Sequence, residues 1–292
     1  MPDSTRAIAL VAATTRTDDE LAALFGAVYA DYFVPVHLDA IALRTMVRRF
    51  DLDLAASRLA LDGAHAVGIA MLGLRDHAAW VGGMGVVPGE RRTGLGRRLM
   101  ESVIGEARER GCHTVQLEVL EQNTGAIELY RGLGFRSWRT LDVWSLGAPL
   151  TDAGARAVPA PEARAWIAAR REAPEPWQRA DASLDHFDVP ETPLRALEVV
   201  AAGARTGAAV ALVAGGRASL LQIALDGADP VADARALIAG AGAWAPGVRF
   251  LNVPSEHPAS VALAAAGATL EARQFEMTLA LGPDASAGET LP

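Results

Sequence analysis

The chain has 292 residues, of which 51% are apolar, with a formal net charge of −8 and one cysteine. This length exceeds the usual size of one domain, and the acidic balance argues against nucleic acid as a partner, because phosphate backbones are bound by basic surfaces. All 27 cationic residues are arginine, which excludes a Schiff-base lysine and a P-loop lysine.

The chain shows no targeting or membrane segment by its sequence pattern. No stretch approaches twenty consecutive apolar residues, and the N-terminus lacks a basic region followed by a long apolar run. The single Cys112 has no internal disulfide partner, which fits a reducing compartment. We therefore expect a cytoplasmic protein with no membrane partner.

The N-terminal part alternates short strands with helices. An apolar run at Ala7 to Ala12 predicts a strand, and helical spacing predicts helices from Glu20 to about Phe33 and from about Leu38 to Phe50. The join between these helices, Ala30 to His37, has more aromatic and polar side chains than a plain connector needs. A corner of packed aromatic side chains would also account for this composition.

A β-hairpin and a glycine-rich strand come next. The Asp62-Gly63 turn signal between Arg58 to Leu61 and Val67 to Leu74 predicts the hairpin. The strand from Ala79 to Val87 contains Gly82, Gly83 and Gly85. Because glycine weakens a strand interior, three of them suggest a bulge or the close approach of a backbone or ligand.

The centre of the chain is an arginine and glycine loop that opens a helix. The loop reads Arg91-Arg92-Thr93-Gly94-Leu95-Gly96, and the apolar residues Leu95, Leu99, Val103 and Ala107 fall on one face of the following helix. Two glycines at a helix entry allow several N–H groups to point into one hollow at the positive end of the helix dipole. This pattern predicts a site for a phosphorylated ligand.

Another strand and helix complete the first half. From His113 to Leu120 apolar residues alternate with Gln116 and Glu118, which predicts a half-buried strand. Asn123 stands at a helix N-cap position, and Tyr130 belongs to the apolar stripe of that helix. Gly134 ends the helix, and Arg136 to Leu146 predicts a closing strand.

The second half repeats this order in diverged form. We place the domain boundary at 147/148, giving domains 1–147 and 148–292, with part of 148–190 as a linker around a helical piece near Glu162 to Arg171. Five predicted strands cover Leu197 to Ala201, Ala208 to Ala214, Ala218 to Leu225, Val248 to Val253 and Glu271 to Leu281, and two helices cover Pro230 to Ala241 and Pro258 to Ala266. The loop of this copy carries Asp226, Asp229 and Asp233 in place of arginines, so we expect only the first half to bind the ligand.

Several landmarks together resemble the acetyl-CoA-binding core of the GCN5-related N-acetyltransferases (GNAT). These are Arg91-x-x-Gly94-x-Gly96, Leu117-Glu118-Val119, Asn123-x-x-Ala126 and Leu129-Tyr130-x-x-Leu133-Gly134-Phe135. The resemblance covers about residues 5 to 147. It implies an α/β fold of two tandem GNAT-like domains with mostly antiparallel sheets flanked by helices, the second being a degenerate copy.

The resemblance also implies roles for individual residues. Glu118 is the candidate general base, with Glu121 as the next choice, and Tyr130 is the candidate acid for the departing thiolate. The segment Tyr29 to His37, with Tyr29, Tyr32 and Phe33, lies in the acceptor region. Asn123 contacts the pantetheine arm or simply caps its helix. Acetyl-CoA, as co-substrate with no metal, is expected on the following residues: Met84, Gly85, Val86, Val87, Arg91, Arg92, Thr93, Gly94, Leu95, Gly96, Arg97 and Asn123.

The expected activity is acetyl transfer to a primary amine of a small molecule or peptide by direct attack, and the oligomeric state is left open. The alternative is a non-catalytic acyl-CoA-binding regulator, because the strand from Ala79 to Val87 carries no carboxylate. A dinucleotide fold is disfavoured because Leu99 fills the position of its third glycine. A Cys112–His113 nucleophile pair is disfavoured because neighbouring side chains on a strand point apart.

Overall fold

The computed structural model describes residues 7–33, 37–147, 150 and 154–282. These residues separate into two compact units. The first unit contains the described chain up to Trp138 together with the segment from Glu276 onward, and the second runs from Arg139 to Phe275. The division at 147/148 into two domains stays a prediction. The compact units divide earlier in the chain, and the first also takes in the end of the last strand.

The first unit contains five strands and four helices before the chain enters the second. They are β1 (Ile8–Ala12), α1 (Asp18–Val28), α2 (Ala40–Arg49), β2 (Arg58–Asp62), β3 (His65–Arg75), β4 (Ala78–Val86), α3 (Leu95–Glu109), β5 (Thr114–Leu120) and α4 (Thr124–Arg131). The strand order is β1-β2-β3-β4-β5, with antiparallel pairs except for the parallel pair β4–β5.

The second unit has the same arrangement of strands as the first. Its elements are β6 (Arg136–Leu146), which begins just before the unit, then β7 (Ala155–Val158), α5 (Ala160–Ala168), α6 (Asp181–Phe187), β8 (Arg195–Ala201), β9 (Ala204–Ala214), β10 (Arg217–Leu225), α7 (Pro230–Gly242), β11 (Gly247–Pro254), α8 (Pro258–Ala265) and β12 (Thr269–Ala280), whose end belongs to the first unit. The order β7-β8-β9-β10-β11 is again antiparallel except for β10–β11, which confirms that the second half repeats the fold of the first.

Local sequence signals explain where the helices of the first unit begin. Thr17 and Glu20 form a capping box that starts α1, and the Asp39 side chain accepts a hydrogen bond from the Ala42 amide to start α2. The apolar stripe predicted for α3 is buried, as its residues Leu95, Leu99, Val103 and Ala107 show. Helix α1 ends at Val28, earlier than predicted, so that Tyr29 is its C-cap.

The stretch predicted to contain a linker is mostly regular structure. Strand β7 and helices α5 and α6 occupy it, and a short 3₁₀ turn lies at Trp177–Arg179. Strand β7 was not predicted because its four residues are too few to show a clear alternation. Among the described residues, no helix combines the length and apolar character needed to cross a membrane.

Candidate cofactor and catalytic site

The site is positioned by a gap between two parallel strands. β4 and β5 pair only at Ala78–Trp80 with Thr114–Gln116, whereas β4 continues to pair with β3 as far as Val86. Within the described residues no further β4–β5 pair is formed. The strands therefore diverge after Trp80, and the edge of β4 that faces the gap is left for another partner.

The three glycines of β4 have separate structural causes. Gly82 is the extra residue of a bulge, because Met71 lies opposite Gly83 while Leu72 lies opposite Val81. A Cβ on Gly83 would lie 2.6 Å from Cζ of Phe25, and a Cβ on Gly85 would overlap the side chain of Val28. The predicted bulge is confirmed, and the close approach is that of helix α1 to the strand.

The loop before α3 presents its backbone amides without protein partners. Gly94 caps α3 with a φ of 84°, and no side chain caps that helix. Arg92 also has a positive φ of 63°. Within the described part of the chain, none of the amides from Arg92 to Arg97 donates a hydrogen bond, whereas the Arg98 amide reaches the Gly94 carbonyl at 3.2 Å. The amides expected to bind a diphosphate are therefore available to a ligand.

The guanidinium of Arg91 is used by the protein itself. It donates to the Val86 carbonyl at 3.0 Å, to the Val28 carbonyl at 3.0 Å, and to both carboxylate oxygens of Asp31 at 2.9 and 2.6 Å. This bonding holds the pKa of Asp31 below its usual value. These donors fasten the end of α1 to the end of β4, and the expected role of Arg91 toward the cofactor stays a prediction.

The other two arginines predicted to bind the cofactor, Arg92 in the loop and Arg97 in α3, differ from Arg91. Arg97 donates to the Gly132 carbonyl at 3.3 Å and lies 3.7 Å from Glu101. Arg92 is exposed, and its side chain makes no hydrogen bond or ion pair in the described ranges. Arg92 is therefore the arginine of the loop with a side chain available for an anionic ligand.

Glu118 lies on the wall of the gap formed by β5. The predicted alternation is observed, since Leu117 and Val119 are buried while Glu118 is only half-buried. Its Oε2 accepts a 2.8 Å hydrogen bond from the indole nitrogen of Trp80 on β4. Because Trp80 is the last β4 residue paired with β5, this bond crosses the start of the gap. Trp80 was not among the predicted site residues.

Tyr130 of α4 is buried, 7% exposed, with its ring 5.8 Å from that of Phe135. Burial raises the pKa of its phenol, and the neighbouring Tyr29 and Tyr32 raise it further. The hydroxyl is therefore protonated at neutral pH, as a proton donor requires. It makes no hydrogen bond within the part of the chain that the structure describes. The chain has three tyrosines, and all three lie in this region.

The acceptor segment is anchored to both sides of the gap. The Tyr29 hydroxyl donates to the Met84 carbonyl of β4 at 3.2 Å. Tyr32 hydrogen-bonds to Asn123, whose side chain also accepts from the Ala126 amide at 3.3 Å. The capping role of Asn123 is confirmed, and its contact with pantetheine stays a prediction. Phe33 packs edge-on against Tyr32 and is 55% exposed.

Two further predicted residues, Val87 and Glu121, lie less favourably for a role in the site. The Val87 amide, expected near acetyl-CoA, instead donates to the Val67 carbonyl of β3 at 3.0 Å. Glu121 is exposed in the turn after β5. Positions 34–36 of the acceptor segment lie outside the described residues. Among those described, no group of three histidine, cysteine or acidic side chains could hold a metal ion.

The corresponding loop of the second unit is filled by its own side chains. The Asp229 carboxylate accepts from the Ala232 amide at 3.0 Å, and Pro230 at the start of α7 has no N–H. A Cβ on Gly227 would overlap the carboxylate of Asp233. The N-terminus of α7 therefore has less donor capacity and more negative charge than that of α3.

The β10–β11 opening of the second unit is also occupied. These strands pair only as far as Leu220 and Phe250 and then diverge. The strands β4 and β5 of the first unit diverge in the same way. The Arg179 guanidinium lies 4.7 Å above the Phe250 ring and donates to the Leu251 carbonyl at 3.3 Å. Gln222 of β10 donates to the Arg179 carbonyl at 2.8 Å. The Arg179 segment thus bonds to both strands across the opening.

The residues equivalent to Glu118 and Asn123 confirm this divergence. Asn252 stands where the first unit has Glu118, is 1% exposed, and is held by Gln178 at 3.2 Å and by Gln274 at 2.6 Å. His257 occupies the N-cap position of α8 and accepts from the Ala259 amide at 3.1 Å. Asn252 therefore offers no carboxylate, and His257 serves as a helix cap.

Comparisons with known proteins agree with this geometry. The profile of the acetyltransferase (GNAT) family matches residues 19–135. A mycothiol acetyltransferase of Thermobispora bispora is 50% identical over 60 residues, which cover 20% of this chain and 20% of that protein. A ribosomal protein bS18-alanine N-acetyltransferase of Escherichia coli is 50% identical over 50 residues, 17% of this chain and 34% of that protein.

These matches span well under two thirds of the relatives' lengths. A tandem GNAT protein from the clavulanic acid biosynthesis pathway is similar over 95% of this chain and 99% of that one, with a TM-score of 0.63 and 19% identity. At this identity the similarity concerns the fold. Residues 19–135 therefore match the GNAT acetyltransferase family, and the chain as a whole has a fold of two tandem GNAT-like domains.

Proposed function

We propose that the first unit is an acetyl-CoA-dependent N-acetyltransferase that acts on a primary amine. The observation that carries the proposal is the set of amides from Arg92 to Arg97, which follow β4 in the chain and have no partner in the described part of it. Such amides at a helix N-terminus suit the diphosphate of coenzyme A. Arg92 adds an available positive charge, and the exposed edge of β4 suits the amides of the pantetheine arm.

Glu118 and Tyr130 supply the two proton transfers that the reaction needs. The attacking amine forms a C–N bond to the thioester carbonyl carbon, and Glu118 accepts its proton through a water molecule. The C–S bond then breaks, and Tyr130 gives its proton to the sulfur, so that coenzyme A leaves as a thiol. The raised pKa of Tyr130 keeps its phenol protonated before this step.

The acceptor is proposed as an amine of a small molecule or peptide, since the related proteins are named for mycothiol and for the alanine of a ribosomal protein. The second unit is proposed to be non-catalytic, because its helix N-terminus and its strand opening are filled by Asp229, Asp233 and Arg179. One molecule of acetyl-CoA per chain is therefore expected.

The test is to mix the protein with acetyl-CoA and a panel of amines and to measure turnover by the release of free thiol. Because the chain contains no lysine, it offers no side-chain amine for self-acetylation, which keeps the background low. Glu118→Gln and Tyr130→Phe should each lower kcat by about 10- to 10⁴-fold while acetyl-CoA affinity stays within about two-fold. Binding without turnover would favour the non-catalytic regulator instead, and two cofactor sites by calorimetry would contradict the role given to the second unit.

A further inference from the structure

Trp80 is fixed by packing at the point where β4 and β5 separate. Its side chain is 3% exposed, and the Phe50 ring meets it edge-on with centroids 5.7 Å apart. A Cβ on Gly82 would overlap the indole ring. The bulge at Gly82 and the missing Cβ therefore create the space in which the ring lies.

The indole nitrogen donates to Glu118 from this fixed position. The 2.8 Å bond joins Trp80, the last β4 residue paired with β5, to Glu118, which lies two residues beyond the pairing partner Gln116. An indole N–H can only donate, so the bond requires an acceptor oxygen and fixes the direction of the carboxylate. The Glu118 side chain has three rotatable bonds, and this hydrogen bond restricts their rotation.

We propose that Trp80 is a positioning residue that holds the Glu118 carboxylate across the mouth of the β4–β5 gap, ready to accept the proton of the acceptor amine. This inference rests on the proposed acetyltransferase function. A misplacement of about 1 Å in a reacting group can lower a rate on the order of 10²-fold, so the orientation of Glu118 bears directly on kcat. Gly82 supports this arrangement indirectly, because its missing Cβ leaves room for the indole ring of Trp80.

The substitution Trp80→Phe keeps an aromatic ring but removes the N–H. We expect kcat to fall about 5- to 50-fold while KM for acetyl-CoA stays within about two-fold. Trp144→Phe is the matched control. Trp144 is also buried, at 8% exposure, but its indole nitrogen has no hydrogen-bond partner among the described residues. This control should lose some stability and keep the wild-type kcat.

A double-mutant cycle separates positioning from general loss of structure. If Trp80 acts through Glu118, then Trp80→Phe added to Glu118→Gln should change kcat by less than about two-fold. Gly82→Ala, which displaces the ring, should show the same dependence on Glu118 and serves if Trp80→Phe does not fold. Wild-type kcat in Trp80→Phe, or multiplied effects in both double variants, would overturn the proposal. Absence of turnover in the wild-type protein would instead overturn the acetyltransferase function on which it rests.

Discussion

Both carboxylate oxygens of Asp31 accept hydrogen bonds from the guanidinium of Arg91, at 2.9 and 2.6 Å. Arg91 directly precedes the amides proposed to hold the diphosphate, and Asp31 follows helix α1 in the acceptor segment. The same guanidinium also binds the carbonyls of Val28 and Val86. One side chain therefore fastens the acceptor segment to the entrance of the cofactor loop.

Replacing Arg91 with alanine should destabilise the first unit rather than remove a charge from the cofactor. The carbonyls of Val28 and Val86 would lose their donor, which corresponds to about 1 to 2 kcal/mol of unfolding free energy in urea. Arg91→Lys should recover little, because an ammonium cannot reproduce the planar fork that binds Asp31. Asp31→Asn should have a smaller effect, since the pair is 40% and 53% exposed and solvent screens it. Unchanged stability of Arg91→Ala would refute this framework role.

Arg92→Ala should weaken acetyl-CoA binding without affecting stability. Its exposed side chain makes no hydrogen bond or ion pair with a described residue, so its loss removes a positive charge beside the ligand. We expect Kd by calorimetry to rise about 3- to 10-fold at low salt and less at high salt. Arg108→Ala is the control, because Arg108 is exposed on the last turn of the same helix. Equal effects of the two substitutions would mean that Arg92 has no particular relation to the ligand.

Gly94→Ala should impair cofactor binding through the backbone. A Cβ at this position would contact nothing within 4 Å, but the φ of 84° is costly for alanine by about 1 to 2 kcal/mol. Relief of this strain would turn the amides of the loop away from the ligand, and the Kd for acetyl-CoA should rise at least about 10-fold. Gly89→Ala offers an equally open site without a positive φ. If both variants bind acetyl-CoA as the wild type does, the loop is not the diphosphate site.

His257 should make the stability of the protein depend on mildly acidic pH. Burial, with the nearby Arg179, lowers its pKa from 6.5 to about 4 in the folded protein. Between these values the unfolded chain binds the proton and the folded chain does not. The stability present above pH 6.5 is therefore lost as the pH falls toward 4, by up to about 3 kcal/mol.

His257→Asn tests this dependence, because asparagine can cap α8 but does not titrate. Urea unfolding of both proteins at several pH values from 4 to 7.5 gives the free energies. The difference in unfolding free energy between wild type and variant should change between pH 4 and 6.5, and it should stay constant at higher pH. A difference that is the same at every pH would show that His257 does not titrate differently in the folded state.

The features of this site that could be predicted from the sequence are those that depend on neighbouring residues. Gly94 and Gly96 at a helix entry predict an available amide loop, because backbone preference and helix capping are decided within one turn. The alternation around Glu118 likewise predicts which side chains leave the core of β5. The likeness of the two halves could also be read from the order of their elements.

The roles of Arg91, Trp80 and Arg179 were decided by the tertiary structure. Their partners Asp31, Glu118 and Leu251 lie 60, 38 and 72 residues away along the chain. The sequence showed Arg91 as a charge beside a phosphate loop, and the fold instead brought a carboxylate and two carbonyls to it. Residue type and spacing determine what a segment can form and which groups it can offer. Which of those groups remain available to a ligand depends on the donors and acceptors that folding brings from distant segments, because each hydrogen bond made within the protein removes a group from the site.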